Sequence, residues 1–242
     1  MKVELDSSHQ TNLKEKNNYL NYRYTKEIFI MSERQVPLVV IRRLPRYHRY
    51  LGELLNNKIY RVSSTELSSK MGVTASQIRQ DINYFGVFGQ QGYGYNVEHL
   101  YTAIGNILGL NNGYKAIIVG AGNLGRALAN HTGLSKRGFY ISGIFDIDET
   151  IIGTKVSDII VRPYSEIENH IKNEKPEIAV LTVPKSFAPE VAEHLVSCGI
   201  KALWNFANVD LKLPQDVLVE NVHLSDSLMT LSCRMSKIGD NK

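Results

Sequence analysis

The segment "YKAIIVGAGNLGRALANH" limits the fold of this chain more than any other. An apolar run of strand length ends at Gly120, Gly122 and Gly125 complete a G-x-G-x-x-G spacing, and a helical pattern follows. A second strand-like segment, "YISGIFDID", ends with Asp146, 21 residues beyond Gly125. Strand, glycines, helix, strand and acid in this register form a dinucleotide-binding fingerprint. The first glycine permits a tight turn, the second lets the backbone approach a pyrophosphate, and the third lets helix pack on strand. The start of the helix presents amides to the negative charge. Asp146 can accept a ribose 2′-hydroxyl and would repel a 2′-phosphate, so NAD(H) is expected over NADP(H).

The alternation continues downstream. "SEIENHIKN" reads as helix, "PEIAVLTVP" as strand, "SFAPEVAEHLVSCG" as helix and "IKALWNFA" as strand. Together these predict an α/β, doubly wound parallel sheet whose ligands lie beyond the C-terminal ends of the strands. That rule nominates Thr182, Val183 and Pro184, with Asn205, Phe206 and Ala207. The chain closes on "VHLSDSLMTLSCRM", helical and apolar at Leu224, Leu228, Leu231 and Met235, a face that needs its own domain or a partner subunit to cover it.

The part before the fingerprint is of another class. Residues 32–100 carry nine Lys/Arg against five Asp/Glu, whereas residues 101–242 carry 14 against 15. A positive N-terminal third on a near-neutral body suits a polyanion-binding module. Leu44, Tyr47, Leu51, Leu54 and Leu55 recur at helical spacing with Arg42, Arg43, Arg46 and Arg49 between them, making a basic amphipathic helix in which Arg43 is the candidate DNA contact. In "VSSTELSSKMGVTASQIRQDINYFG", Ser63 with Glu66 and Thr74 with Gln77 fit capping boxes on either side of a glycine turn. Two short helices so joined predict a helix-turn-helix with Leu67, Met71, Val73, Ile78, Ile82 and Phe85 inward. Ser76, Gln77, Arg79, Gln80 and Asn83 then lie on the outer face, with side chains suited to base edges and phosphates. The glycine-rich "NYFGVFGQQGYGYNV" reads as a β-hairpin wing with Gln90 and Gln91 at its tip.

Residues 1–31 show no sustained period and are expected to be a poorly ordered extension, with Met31 as the expected natural start. The other expected boundaries are 32–112 for a winged-helix DNA-binding domain, 113–215 for the Rossmann domain and 216–242 for a C-terminal dimerisation helix and tail. No secretory segment is legible and no apolar run reaches the roughly 18 residues of a membrane span. Cys198 and Cys233 stand far apart, so a reducing, cytoplasmic setting and packing roles for both are expected.

The combination "QIRQDINYFGVFGQQGYGY", "VGAGNLG", "FDID", "LTVP" and "NFA" closely resembles the Rex family of bacterial redox-sensing transcriptional repressors over about residues 36–237. The resemblance implies a homodimer on double-stranded, palindromic operator DNA, Rossmann domains that respond to NADH and NAD⁺, and a C-terminal helix exchanged between subunits. Arg79, Gln80, Gln90 and Gln91 would meet DNA. Gly120, Gly122, Asn123, Leu124, Gly125, Asp146, Thr182 and Pro184 would line the cofactor, and Leu224 would approach the nicotinamide from the partner chain; Ala121 within the fingerprint, and Val183 and Asn205 at the strand ends, complete the candidate cofactor set. Many relatives have Lys or Arg where Gln80, Gln90 and Gln91 stand, so phosphate attraction is weaker here. Some have an acid where this chain has His223, opposite an arginine matched by Arg49.

The rival reading is an NAD-dependent oxidoreductase with a helical appendage. Such an enzyme needs a proton-transfer group and a substrate anchor beside the nicotinamide. His131, His194 and His223 form no catalytic constellation legible in sequence, and His194 in "AEHLVSCG" reads as a helix-surface residue. No enzymatic activity and no metal are expected. A CoA-binding domain of the same fold is the third reading, and Asp146, which suits a free ribose hydroxyl, counts against it.

Overall fold

The computed structural model describes residues 36–85, 89–90 and 93–239. The extension 1–31, the Met31 start, and Gln91 at the expected wing tip lie outside the described residues. The chain divides into two compact units, one ending at Gly109 and the other beginning at Leu110.

The first unit opens with α1 (Leu38–Ile41) and α2 (Leu44–Asn56), which buries Leu44, Tyr47, Leu51 and Leu54. Strand β1 (Arg61–Val62) leads into α3 (Ser64–Met71), α4 (Ala75–Asn83), β2 (Gly89–Gln90), β3 (Gly94–Asn96) and α5 (Val97–Ile107). Ser63 and Glu66 complete the capping box of α3 reciprocally. Gly72 takes the left-handed conformation that ends this helix, at φ +64°. At α4 only half of the expected box forms. The Thr74 hydroxyl accepts from the Gln77 amide, while the Gln77 side chain turns elsewhere.

Among the described residues of the glycine-rich stretch, β2 pairs antiparallel with β3 as the expected hairpin requires, and β3 pairs with β1. Gly94 explains one of its glycines, since φ is +69° and a Cβ there would lie 2.7 Å from the Val62 carbonyl oxygen across the β1–β3 pair. The inward residues Leu67, Met71, Ile78, Ile82 and Phe85 are buried, while Leu55 and Val73 pack at the core's edge. Helices plus a three-stranded sheet of order β1-β3-β2 make this unit a winged helix.

The second unit contains a seven-stranded sheet. Its strands are β4 (Tyr114–Val119), β5 (Phe139–Asp146), β6 (Lys155–Val156), β7 (Ile159–Pro163), β8 (Ile178–Leu181), β9 (Ala202–Asn205) and β10 (Leu218–Asn221). Their order, β10-β9-β8-β4-β5-β7-β6, is that of a Rossmann sheet. The sheet is not wholly parallel as expected: β6 runs antiparallel to β7 at one edge. Strands β6, β7 and β10 are additions to the sequence reading. They escape the sequence reading because β6 has two residues, β10 is short and largely exposed, and the apolar run of β7 is only three residues long, Ile159 to Val161, before Arg162 and Pro163.

Helices α6 (Asn123–Ala129), α7 (Ile167–Glu174) and α8 (Ala188–Ser197) accompany the sheet. Alternate residues of β4 serve two separate cores, Ile117 and Val119 on one side and Ile118 on the other, as a strand covered on both faces requires. The last helix, α9 (Leu224–Gly239), leaves Leu224, Leu228, Met229, Leu231 and Met235 exposed. Among the described residues, no helix is long and apolar enough to cross a membrane.

Ile118→Ala is expected to destabilise the protein by about 2–5 kcal/mol through cavity formation, and Ile160→Ala, at an exposed edge position, by less than about 0.5 kcal/mol. Urea unfolding of both variants checks the contrast.

Candidate nucleotide cavity and DNA-binding face

Strands β4 and β8 lie side by side, and the chain leaves them for opposite halves of the sheet. A crevice opens where the winding reverses, and ligands of such sheets bind there. It holds a cavity of about 770 Å³ lined by Val119, Gly120, Gly122, Phe145, Asp146, Ile147, Tyr164, Thr182, Val183, Pro184, Phe187, Glu190, Val191 and His194. Six of the expected cofactor residues, Gly120, Gly122, Asp146, Thr182, Val183 and Pro184, therefore share one wall system.

The three glycines are held for different reasons. Gly120 has φ +99°, and a Cβ would meet the Thr182 carbonyl oxygen at 2.7 Å. At Gly125 a Cβ would stand 2.0 Å from the Gly120 carbonyl oxygen, an impossible approach that fixes helix against turn. A Cβ on Gly122 would meet nothing within 4 Å, so the protein itself does not require glycine there. The absence of a side chain leaves this stretch of backbone open to the cavity, and a pyrophosphate would fit that position. The Thr182 hydroxyl reaches the carbonyl oxygens of Gly120 at 2.7 Å and Val119 at 3.0 Å, clamping the end of β8 to the turn.

Asp146 is fixed by backbone donors. Its Oδ1 accepts from the amides of Ile147 (2.7 Å) and Asp148 (3.0 Å), and its Oδ2 from Ala121. A carboxylate oxygen has two lone pairs, so Oδ2 keeps one for a hydroxyl donor. Ala121 is buried and acts through this amide; Asn123 and Leu124 form the first turn of α6 outside the cavity wall.

Two expected cofactor residues have other placements. The Asn205 side chain is buried and both its donors are engaged: Nδ2 donates to the Val209 carbonyl and to Asn221 Oδ1, and Oδ1 accepts from the Ala207 amide. It ties β9 to β10 and does not line the cavity. Leu224 begins α9, 66% exposed and apart from the cavity wall of its own chain.

Sequence reasoning missed the opposite wall. Tyr164 follows the unrecognised strand β7, while Phe187, Glu190, Val191 and His194 recur at helical spacing into α8, a stripe that was legible in principle. His194 is more than a surface residue. Its Nδ1 lies 2.7 Å from the Tyr164 hydroxyl and its Nε2 2.9 Å from Glu168 Oε1. Burial pushes the Tyr164 hydroxyl up to about 12, so it stays protonated. At His223, Nδ1 is buried without a hydrogen-bond partner.

In the first unit, Ser76, Arg79, Gln80, Asn83 and Tyr84 line a shallow hollow on the outer side of α4. Arg79 Nη1 donates to the Ser64 hydroxyl at 3.0 Å, which braces the arginine along the face. Gln77 and Arg43 depart from expectation. The Arg43 guanidinium makes a two-pronged pair with Asp81, both distances 2.7 Å, and Gln77 Nε2 donates to the same carboxylate at 2.8 Å. The Tyr47 hydroxyl adds a further bond at 2.8 Å. Asp81 is fully buried, and an unpaired carboxylate there would be costly, so it draws these donors inward and joins α2 to α4. Gln77 and Arg43 thus spend their Asp81-facing donors on positioning the outer helix.

Two family models match the chain: one described as "CoA binding domain" over residues 111–209, the other as "Putative DNA-binding protein N-terminus" over residues 35–83. A redox-sensing transcriptional repressor Rex of Thermoanaerobacter pseudethanolicus is 57% identical over 203 residues, 84% of this chain and 91% of that protein. Its counterpart in Clostridium botulinum is 53% identical over 206 residues, 85% of this chain and 98% of the relative. The chain belongs to the Rex family. Among solved structures, the Rex-family repressor RSP in complex with β-NADH superimposes with a TM-score of 0.79 at 53% identity, covering 86% of this chain and 97% of that one. RSP with β-NAD⁺ and operator DNA gives 0.80 at 56% identity, covering 86% and 95%.

Burial alone would raise the Asp81 carboxyl, but hydrogen bonds from Arg43, Tyr47 and Gln77 outweigh it and hold it below the usual carboxylate range. A depressed folded-state value contributes stability above the unfolded value of about 3.9, and that contribution is lost as pH falls through the folded one. Asp81→Asn is expected to cost about 3–5 kcal/mol at pH 7, with the deficit shrinking below about pH 4. Urea titrations of parent and variant at pH 7 and pH 3 measure both effects.

Proposed function

We propose that this chain is a cytoplasmic, DNA-binding transcriptional repressor that senses the NADH/NAD⁺ ratio, with NADH binding releasing the operator. One observation carries the reading: relatives more than half identical over nearly their whole length have been solved with β-NADH and with β-NAD⁺ plus operator DNA. The cavity and the outer face of α4 fit those two ligand classes.

On this reading Gly122 admits the pyrophosphate, Asp146 Oδ2 accepts from the adenosine ribose, and Val183, Pro184, Phe187 and Val191 provide an apolar lining. The bound dinucleotide supplies a nicotinamide ring that is cationic when oxidised and neutral when reduced. Apolar surroundings disfavour the cation, and that difference gives the two forms unequal affinity for two states of the protein. Gly120, Gly125 and Thr182 hold the turn rigidly enough for occupancy to be read as a change of state. On DNA, Ser76, Arg79 and Gln80 present hydroxyl, guanidinium and amide groups to a major groove.

Operators of the palindromic kind demand two such faces, and the exposed apolar stripe of α9 suits a homodimer contact. Leu224, exposed on that helix, would then reach the partner's nicotinamide. An oxidoreductase is the weaker reading, because the relatives are named as repressors. CoA binding, suggested by the description of one family model, meets the objection that the Asp146 carboxylate would repel the 3′-phosphate on the adenosine ribose of CoA.

In gel-shift titration on the operator of the solved relative complex, NADH is expected to weaken binding at least tenfold while NAD⁺ does not. A tenfold effect requires about 1.4 kcal/mol of coupling. Binding indifferent to NADH, or no binding, overturns the proposal. Asp146→Ala should keep operator affinity and lose the NADH response, as read in the same assay. Leu228→Glu is expected to shift the protein from dimer to monomer in light scattering.

A further inference from the structure

Beneath the outer wall of the cavity, Glu168 on α7, His194 on α8 and Cys198 at the C-cap of α8 bring three different donor atoms together. One ligand atom from each lies within 4.8 Å of the other two. His194 and Cys198 are four residues apart, the spacing that places two side chains on one helix face. Carboxylate oxygen, imidazole nitrogen and sulfur in this compass match the donor preference of a borderline-soft divalent cation. The cluster also has the outer hydrogen bond that metal-binding histidines use for orientation: His194 Nδ1 is held by the Tyr164 hydroxyl at 2.7 Å, leaving Nε2 to face Glu168. Glu168 and Cys198 line a surface hollow of about 680 Å³ with Ser165, Asn169, Lys172 and Ser197, giving an entry path and room for a water in the fourth position.

We propose that Glu168, His194 and Cys198 form a three-residue site for a divalent cation of the zinc class, set against the outer side of the nucleotide cavity. Occupation would release the Cys198 thiol proton and move the His194 proton from Nε2 to Nδ1. The Tyr164 hydroxyl, which donates to Nδ1 when Nε2 carries the proton, then becomes an acceptor from Nδ1–H and turns its own proton elsewhere. Tyr164 lines the nucleotide cavity, so metal and dinucleotide are linked. This second part rests on the nucleotide reading above. The Lys172 ammonium in the hollow opposes the cation, and holds the affinity below that of a closed four-ligand site.

Cobalt(II) is the probe, because thiolate ligation gives a sulfur-to-cobalt charge-transfer band in the near ultraviolet. Full-length protein, chelator-treated and titrated with cobalt(II), is expected to develop that band and lose it on adding zinc(II). Cys198→Ser and His194→Gln should abolish the band while keeping the parent's circular dichroism, and Cys233→Ser should retain it. No band, or one that survives Cys198→Ser, overturns the site. With the site loaded by zinc(II), the NADH dissociation constant measured by fluorescence is expected to move at least threefold in the parent and not in His194→Gln. An unchanged constant overturns the linkage. Absence of NADH binding altogether would instead count against the nucleotide reading, which the cobalt band does not depend on.

Discussion

The approach of Gly125 to the Gly120 carbonyl is the constraint around which the second unit is organised. No side chain of any size fits between them, so helix α6 must start immediately above the end of β4. That closeness leaves Thr182 in reach of the same carbonyl, and so ties β8 to the turn at the place where the sheet reverses its winding. With turn, β4 and β8 locked, the Ala121 amide is aimed at Asp146, and the crevice between the strand ends acquires a fixed polar rim. A loose version of this turn would still be glycine-rich in sequence, yet it would offer a ligand no preorganised shape.

In the first unit the comparable role falls to a buried charge. Asp81 sits on the inner side of α4 and gathers Arg43, Tyr47 and Gln77 around it. A core made of leucines and isoleucines alone would tolerate small rotations of α4 about its axis. Bidentate geometry does not, because both prongs of the guanidinium lose their partners together. The orientation of Ser76, Arg79 and Gln80 thus rests on polar contacts made on the opposite side of the same helix.

Much of this was legible before any coordinates. The fingerprint glycines, Asp146, the winged helix with its Ser63–Glu66 cap and the exposed apolar stripe of the last helix all announce themselves by local chemistry or period. What was not legible depends on tertiary geometry. Gln77 and Arg43 read as DNA-facing groups, and Asp81 gives no signal at all, until the helices are folded together. Asn205 ends a strand as a ligand residue would, but its amide is consumed by β10, a strand too exposed to give an apolar signal. Tyr164 and His194 come from segments 30 residues apart, and nothing in either foretells their hydrogen bond.

The uncovered face of α9 has a consequence for the life of the chain before it reaches DNA. Leucines and methionines left in water along a helix of 16 residues favour association with any other apolar surface, correct or not. A newly made copy therefore has a stake in meeting another of its kind promptly, and the share of chains in a functional state rises with the total number present. Abundance becomes a variable in the sensor's response, alongside the ligand that it measures.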